Sequence, residues 1–170
     1  MIVRSILILV LHALVIVPQQ ISGERYRIWS SVRGTWARAY SFEGVPETFV
    51  NVKPDIADPR DNEIWEIEPN RTSKIVNVGT KRAAQPWSHD SRTIVTASYS
   101  VKTKWDVLRV QVENREDMYR ITLDGTNLVW TQVRGSIILW DLVDDEIDWD
   151  QLWYLEPIRN DDQPAWFKGQ

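Results

Sequence analysis

The chain has 170 residues, 20 Lys plus Arg against 24 Asp plus Glu, a formal net charge of −4 and no cysteine. The acidic balance argues against nucleic acid and anionic membrane as main partners, since both reward dense positive patches, and the absence of cysteine excludes disulfides, thiol redox chemistry and thiolate metal sites. Ten tryptophans are an alternative source of core, because an aromatic ring buries on the order of 150–250 Å².

The chain opens with Arg4, then an apolar run from Ile6 to Val17 broken only by His12, then Pro18 and Ile21-Ser22-Gly23. A charged start, an apolar centre and a small-residue end predict a secretory signal peptide over residues 1–23, cleaved near Gly23. The run is short of the ~20 apolar residues that a spanning helix needs. The remainder is therefore expected to be secreted, extracellular and a single domain.

No later window keeps apolar residues at three-four spacing. Short β-branched and aromatic runs of period two recur instead, separated by Gly, Pro, Asn and Asp. They predict strands at 26–31, 35–40, 48–52 and 64–68, then 74–78, 85–88, 93–98 and 105–112, then 118–122, 128–133, 136–142 and 152–156. Each third ends on a Trp strand, with Trp65, Trp105 and Trp153 at its middle, and begins on a strand like Tyr26-Arg27-Ile28 or Tyr119-Arg120-Ile121. A period of roughly 45 residues is a repeat architecture. Three four-stranded blades are too few for a propeller, so the pattern predicts an all-β protein, a β-trefoil over residues 24–158, in which half the strands close a barrel and the other half cap one end. The three tryptophans are then core. Residues 159–170 read as a polar tail with an apolar tip at Trp166 and Phe167. Asn70-Arg71-Thr72 is a glycosylation sequon that places Asn70 on an exposed turn.

Gly23-x-x-Tyr26-x-Ile28, Trp65-Glu66-Ile67-Glu68-Pro69, Met118-Tyr119-Arg120-Ile121 followed by Leu128-Val129-Trp130, and the closing Trp153-Tyr154-Leu155-Glu156-Pro157 resemble the cysteine-free, Trp-rich β-trefoil protease inhibitors of mushroom-forming fungi. Those comprise a serine-protease type and the clitocypins and macrocypins, which act on cysteine proteases. The resemblance implies a monomer that blocks an extracellular protease with one exposed loop. For the serine type it points to residues 41–46, with Phe42 and Glu43, and to residues 143–148; neither segment contains Lys or Arg, so a trypsin-type anchor is missing. For the cysteine type it points to the loops carrying Arg33 and Arg60. Arg82, beside Lys81, and Arg92 are further basic candidates.

A more distant resemblance is to ricin-type β-trefoil lectins, which carry Gln-x-Trp in each repeat. Here the triplet occurs once, at Gln151-Leu152-Trp153. The lectins also need an Asp and a sugar-facing aromatic, and Asp124-Gly125 with Trp130 is the one cluster that approximates them, so a glycan is the alternative partner. A secreted effector that binds a host protein is a third possibility.

Enzyme signatures are poor. His89 is the only histidine after the leader, and consecutive His89-Asp90-Ser91 cannot form a nucleophile, base and orienter. No Gly-rich phosphate loop or paired-His motif appears. The acids Asp144, Asp145, Glu146, Asp148 and Asp150 lack the Gly turn and closing Glu of a calcium loop. No enzymatic activity, cofactor or metal is expected.

Overall fold

The computed structural model describes residues 24–32, 35–41, 48–54, 61–87, 94–97, 102–143 and 147–158. The period-two runs form strands with one face inward. In β1, Glu24–Ser30, residues Tyr26, Ile28 and Ser30 are buried and their neighbours are not. After β2, Thr35–Ser41, and β3, Thr48–Pro54, the fourth strand is β4, Ile64–Ile67, which buries Trp65 and Ile67. Then follow β5, Thr72–Ser73, β6, Val76–Asn77, β7, Arg82–Pro86, β8, Ile94–Ala97, and β9, Trp105–Val112. The last third is β10, Arg115–Leu123, β11, Leu128–Val133, β12, Ser136–Asp141, and β13, Trp153–Pro157.

Pairing closes a barrel. β1 pairs with β4 and β13, β13 with β10, β10 with β9, β9 with β5, and β4 with β6. Because β5 and β6 are two halves of one run, the ring is complete. The hairpins β2–β3, β7–β8 and β11–β12 lie outside it, and β3 is bonded to both β8 and β12. A six-stranded barrel with a triplet of joined hairpins, in three similar units, is a β-trefoil. Closure removes the long sheet edge that would otherwise invite pairing with other chains.

Two sequence expectations shift. The strand expected at 74–78 is interrupted, because Thr72 and Ser73 pair with β9 while Val76 and Asn77 pair with β4, and between them the Ile75 carbonyl accepts from Ala84 N at 2.8 Å. The chain changes neighbours there. The strand expected at 85–88 runs over Arg82–Pro86 instead. Two alanines, weak strand formers, begin its buried stretch, where small side chains lie beneath Trp105. The expected leader and tail lie outside the described residues. No described helix is long and apolar enough to cross a membrane.

The core explains the repeated tryptophans. Trp65, Trp105 and Trp153 are fully buried, and each indole N–H donates to a carbonyl in the second strand of its own unit: Trp65 to Ala37 at 3.0 Å, Trp105 to Ala84 at 3.0 Å and Trp153 to Trp130 at 3.1 Å. Ala37, Ala84 and Trp130 are therefore equivalent positions. Two are small and the third is the largest residue there is. Trp130 stands edge-on to all three repeat tryptophans, with ring centroids 6.3 Å from Trp65, 5.5 Å from Trp105 and 6.1 Å from Trp153, an arrangement that the aromatic quadrupole favours. Its own Nε1 is buried and has no hydrogen-bond partner among the described residues.

Candidate functional site

The Gln-Leu-Trp triplet of the third unit is built into the root of the loop joining β12 to β13. Asp148 has an extended backbone, φ −84° and ψ 105°, and its side chain accepts from Asp150 N at 3.0 Å. A single 3-10 turn, Trp149–Gln151, follows, closed by Gln151 N to the Asp148 carbonyl and Leu152 N to the Trp149 carbonyl. That turn aims Gln151 back under the loop, where it is fully buried. Its Nε2 donates to the Asp141 carbonyl at 2.9 Å and its Oε1 accepts from Val143 N at 3.3 Å. One side chain thus ties both ends of the loop together. The neighbouring Leu142 N donates to the Asn127 carbonyl at 2.9 Å.

Two other elements buttress this root. From the β1–β2 turn, Ser31 donates its hydroxyl to the Trp149 carbonyl and its N–H to the Leu152 carbonyl. From the β9–β10 hairpin, the Arg115 guanidinium lies 5.0 Å from the Trp149 ring centroid, a cation–π contact, while Val112 and Met118 pack on buried Leu152. Above the root the surface is apolar at its edges: Ile147 is 48% exposed, Val143 36%, Trp149 39% and Val32, on the adjoining turn, 43%. A held root flanked by exposed apolar side chains is what a docking loop requires.

The first unit builds a similar platform with different chemistry. Buried Glu63 stands where Gln151 stands, at the end of the 3-10 turn Asp61–Glu63. The turn between β6 and β7 sits on it: Val78 N donates to the Ile64 carbonyl, Gly79 N to the Asp61 carbonyl, and Asn77 Nδ2 to the Asn62 carbonyl, each at 2.9 Å. Gly79 is required because a Cβ there would lie 2.1 Å from Asn62 Oδ1. Lys81 is exposed at the far side of this turn with φ 56°. A segment that enters a protease cleft does so extended, as an added strand, and a left-handed residue is not extended. Arg82 is half-buried and opens β7 opposite Asn77.

Of the other residues singled out in the sequence, Phe42, Glu43, Arg33, Arg60 and Arg92 lie outside the described residues. Asn70 is on an exposed turn. The lectin-like cluster does not assemble: Asp124 is exposed, but Trp130 is fully buried on the barrel axis and cannot face a sugar. On the described strands of that unit the exposed indole is Trp140 on β12, at 45%. Period two could have found it, since Ile137 and Leu139 point inward and position 140 must face out. Among the described residues no group of three His, Cys, Asp or Glu could hold a metal. The shifted titrations belong to the barrel wall: burial, then the hydrogen bond to Glu24, pushes the Tyr26 phenol well above its usual value, and burial, then the Asp117 charge, raises Tyr119.

No protein-family model matches the chain, and no curated protein matches it in sequence. Solved structures do match. A Macrolepiota procera ricin B-like lectin in complex with lactose aligns with a TM-score of 0.60 at 16% identity, over 79% of this chain and 96% of the lectin. A proteinase inhibitor from Coprinopsis cinerea aligns with a TM-score of 0.60 at 13% identity, over 81% of this chain and 99% of the inhibitor. Cry35Ab1 aligns with a TM-score of 0.59 at 18% identity over 81% of this chain, which spans only 36% of that longer protein. At such identities the likeness is one of fold, and function resides in what each scaffold displays. The fold common to these structures and this chain is the β-trefoil.

Proposed function

We propose that the chain is a secreted protease inhibitor that acts by inserting the β12–β13 loop into a protease active site. The observation that carries this reading is the stitching of both loop ends by buried Gln151. A loop whose ends are fixed has less conformational entropy left to lose, so more of its contact energy remains as affinity. The segment 141–151 contains no Lys or Arg, and the large hydrophobic side chains exposed among its described residues are Val143, Ile147 and Trp149, beside exposed Asp141 and Asp150. The favoured target is therefore an enzyme with an apolar pocket, not one of trypsin type. The structure from Coprinopsis cinerea supports the reading in that a protein of the same fold is a proteinase inhibitor.

Residues 24–170 incubated with a panel of serine and cysteine proteases should inhibit at least one enzyme that prefers aliphatic residues. Ile147→Asp should weaken that inhibition by about tenfold or more, equivalent to ~1.4 kcal/mol. Lack of inhibition across the panel would sink the reading. Trp140 favours a second one, glycan binding, because its indole is 45% exposed on β12 and sugar rings stack on aromatic side chains. Retention on immobilised glycans that free sugar competes and Trp140→Ala abolishes would establish it.

A further inference from the structure

Asn70 lies in the turn between β4 and β5 and is exposed, with φ 62°, a conformation that Asn tolerates better than other side chains bearing a Cβ. Its backbone N–H donates to the Val107 carbonyl at 2.7 Å, and its Oδ1 accepts from Arg109 N at 3.3 Å. The residue is thus clamped along β9 on either side of Leu108. Its Nδ2, in contrast, makes no hydrogen bond to any described residue. Two residues on, the Thr72 hydroxyl donates to the Asp106 carboxylate, also on β9. Leu108, between the clamping atoms, is 51% exposed, the highest exposure of any large hydrophobic residue described. Arg109 beside it lines a shallow surface cavity of about 450 Å³, together with Val110, Glu113, Arg115 and Asp117.

We infer that Asn70 carries an N-linked oligosaccharide whose first N-acetylglucosamine lies on the outer face of β9 over Leu108. Asn70-Arg71-Thr72 is the sole sequon of the chain. Attachment occurs on the extended chain before folding. Nδ2 bonds to the anomeric carbon of a lipid-pyrophosphate-linked oligosaccharide, the bond from that carbon to the pyrophosphate oxygen breaks, the lipid pyrophosphate leaves, and one Nδ2 proton passes to base. The folded state accepts the product because the bonded atom of the amide is Oδ1, which glycosylation leaves free to accept, while Nδ2 keeps one hydrogen and has no hydrogen-bond partner to give up among the described residues. The sugar then covers an aliphatic side chain that the barrel leaves bare. This inference is independent of what the β12–β13 loop binds.

The test places residues 24–170 behind a eukaryotic host's own secretion leader, so that entry into the secretory path is not in question. The secreted protein should migrate more slowly than Asn70→Gln, and peptide-N-glycosidase should collapse it to the variant's mobility while converting Asn70 to aspartate in the peptide map. Thr72→Ser should keep the slow band and Thr72→Ala should lose it, the latter without touching the Asn70 clamp. After trimming to one sugar, a nuclear Overhauser contact between its acetyl methyl and the Leu108 methyls is expected. A secreted, folded wild type that migrates with Asn70→Gln before and after treatment overturns the site. A trimmed glycoprotein with no contact to Leu108 overturns the seating.

Discussion

Trp130 and Trp153 allow a paired test of the core, because the polar term of the same substitution has opposite signs at the two positions. Replacing either with Phe removes one ring from a fully buried indole and loses comparable burial, so that term cancels between them. The polar terms differ. In Trp130→Phe the atom lost is a buried N–H without a partner among the described residues, and eliminating an unmet donor of this kind recovers about 1–3 kcal/mol. Phe keeps an aromatic edge against Trp65, Trp105 and Trp153, so most of the edge-on packing persists. In Trp153→Phe the lost N–H served the Trp130 carbonyl at 3.1 Å, and a buried carbonyl left short of a donor costs about 1 kcal/mol or more. Trp130→Phe should therefore leave the variant at least about 2 kcal/mol more stable than Trp153→Phe, a large share of the 5–15 kcal/mol typical of a domain. Urea unfolding followed by far-ultraviolet circular dichroism measures the difference, with the slope m expected to be unchanged. Equal midpoints for the two variants, or a lower one for Trp130→Phe, would refute the assignment of Trp130 as an unpaired axial plug. Trp130→Ala removes the same N–H together with the whole ring, so the lost packing dominates and it should cost about 3–5 kcal/mol.

Gly79→Ala should destabilise by about 1–3 kcal/mol, because the added Cβ would meet Asn62 N at 2.8 Å and the Asp61 carbonyl carbon at 2.9 Å, backbone atoms that cannot move aside; a thermal melt matching wild type would contradict the packing of this turn on the 3-10 turn. Gln151→Ala leaves the Asp141 carbonyl and Val143 N without their partner, so it should cost about 2 kcal/mol and expose residues 143–147 to limited proteolysis before the barrel is cut. Unchanged cleavage kinetics would show that Gln151 does not hold the loop. Tyr26 and Tyr119 titrate above their ordinary value in the folded state. Stability that is complete below about pH 10 should then fall as pH rises beyond it, since the unfolded chain releases phenol protons that the folded chain retains. Melting temperature recorded beside tyrosinate absorbance should show the decline, and Tyr26→Phe should flatten it; a melting temperature that stays level through that range would remove the argument.

Alternation was readable wherever the partner face was simply inside or outside. The predicted strands 105–112 and 128–133 coincide with β9 and β11, and the three repeat tryptophans are core as the period requires. The run at 74–78 was misread because period two records which face a side chain takes, not which neighbour its backbone bonds, and Ile75 is where the backbone changes partners. Trp130 was misread for a related reason. Its position in β11 gives it an inward face, yet whether an inward tryptophan lines a pocket or closes an axis depends on the residues that meet it from the other two units.

The sequence by itself determined the all-β class, the threefold period, the burial of Trp65, Trp105 and Trp153, and the sequon at Asn70, because these depend on spacing along one strand or on three consecutive residues. Only the tertiary structure decided that Ala37 and Ala84 are small so that Trp130 can be large, and that Gln151 ties Asp141 to Val143. It also decided that Ser31 and Arg115 support the same loop from distant parts of the chain. Those contacts join residues separated by eight to more than a hundred positions, and no local pattern encodes which side chain will fill a shared space.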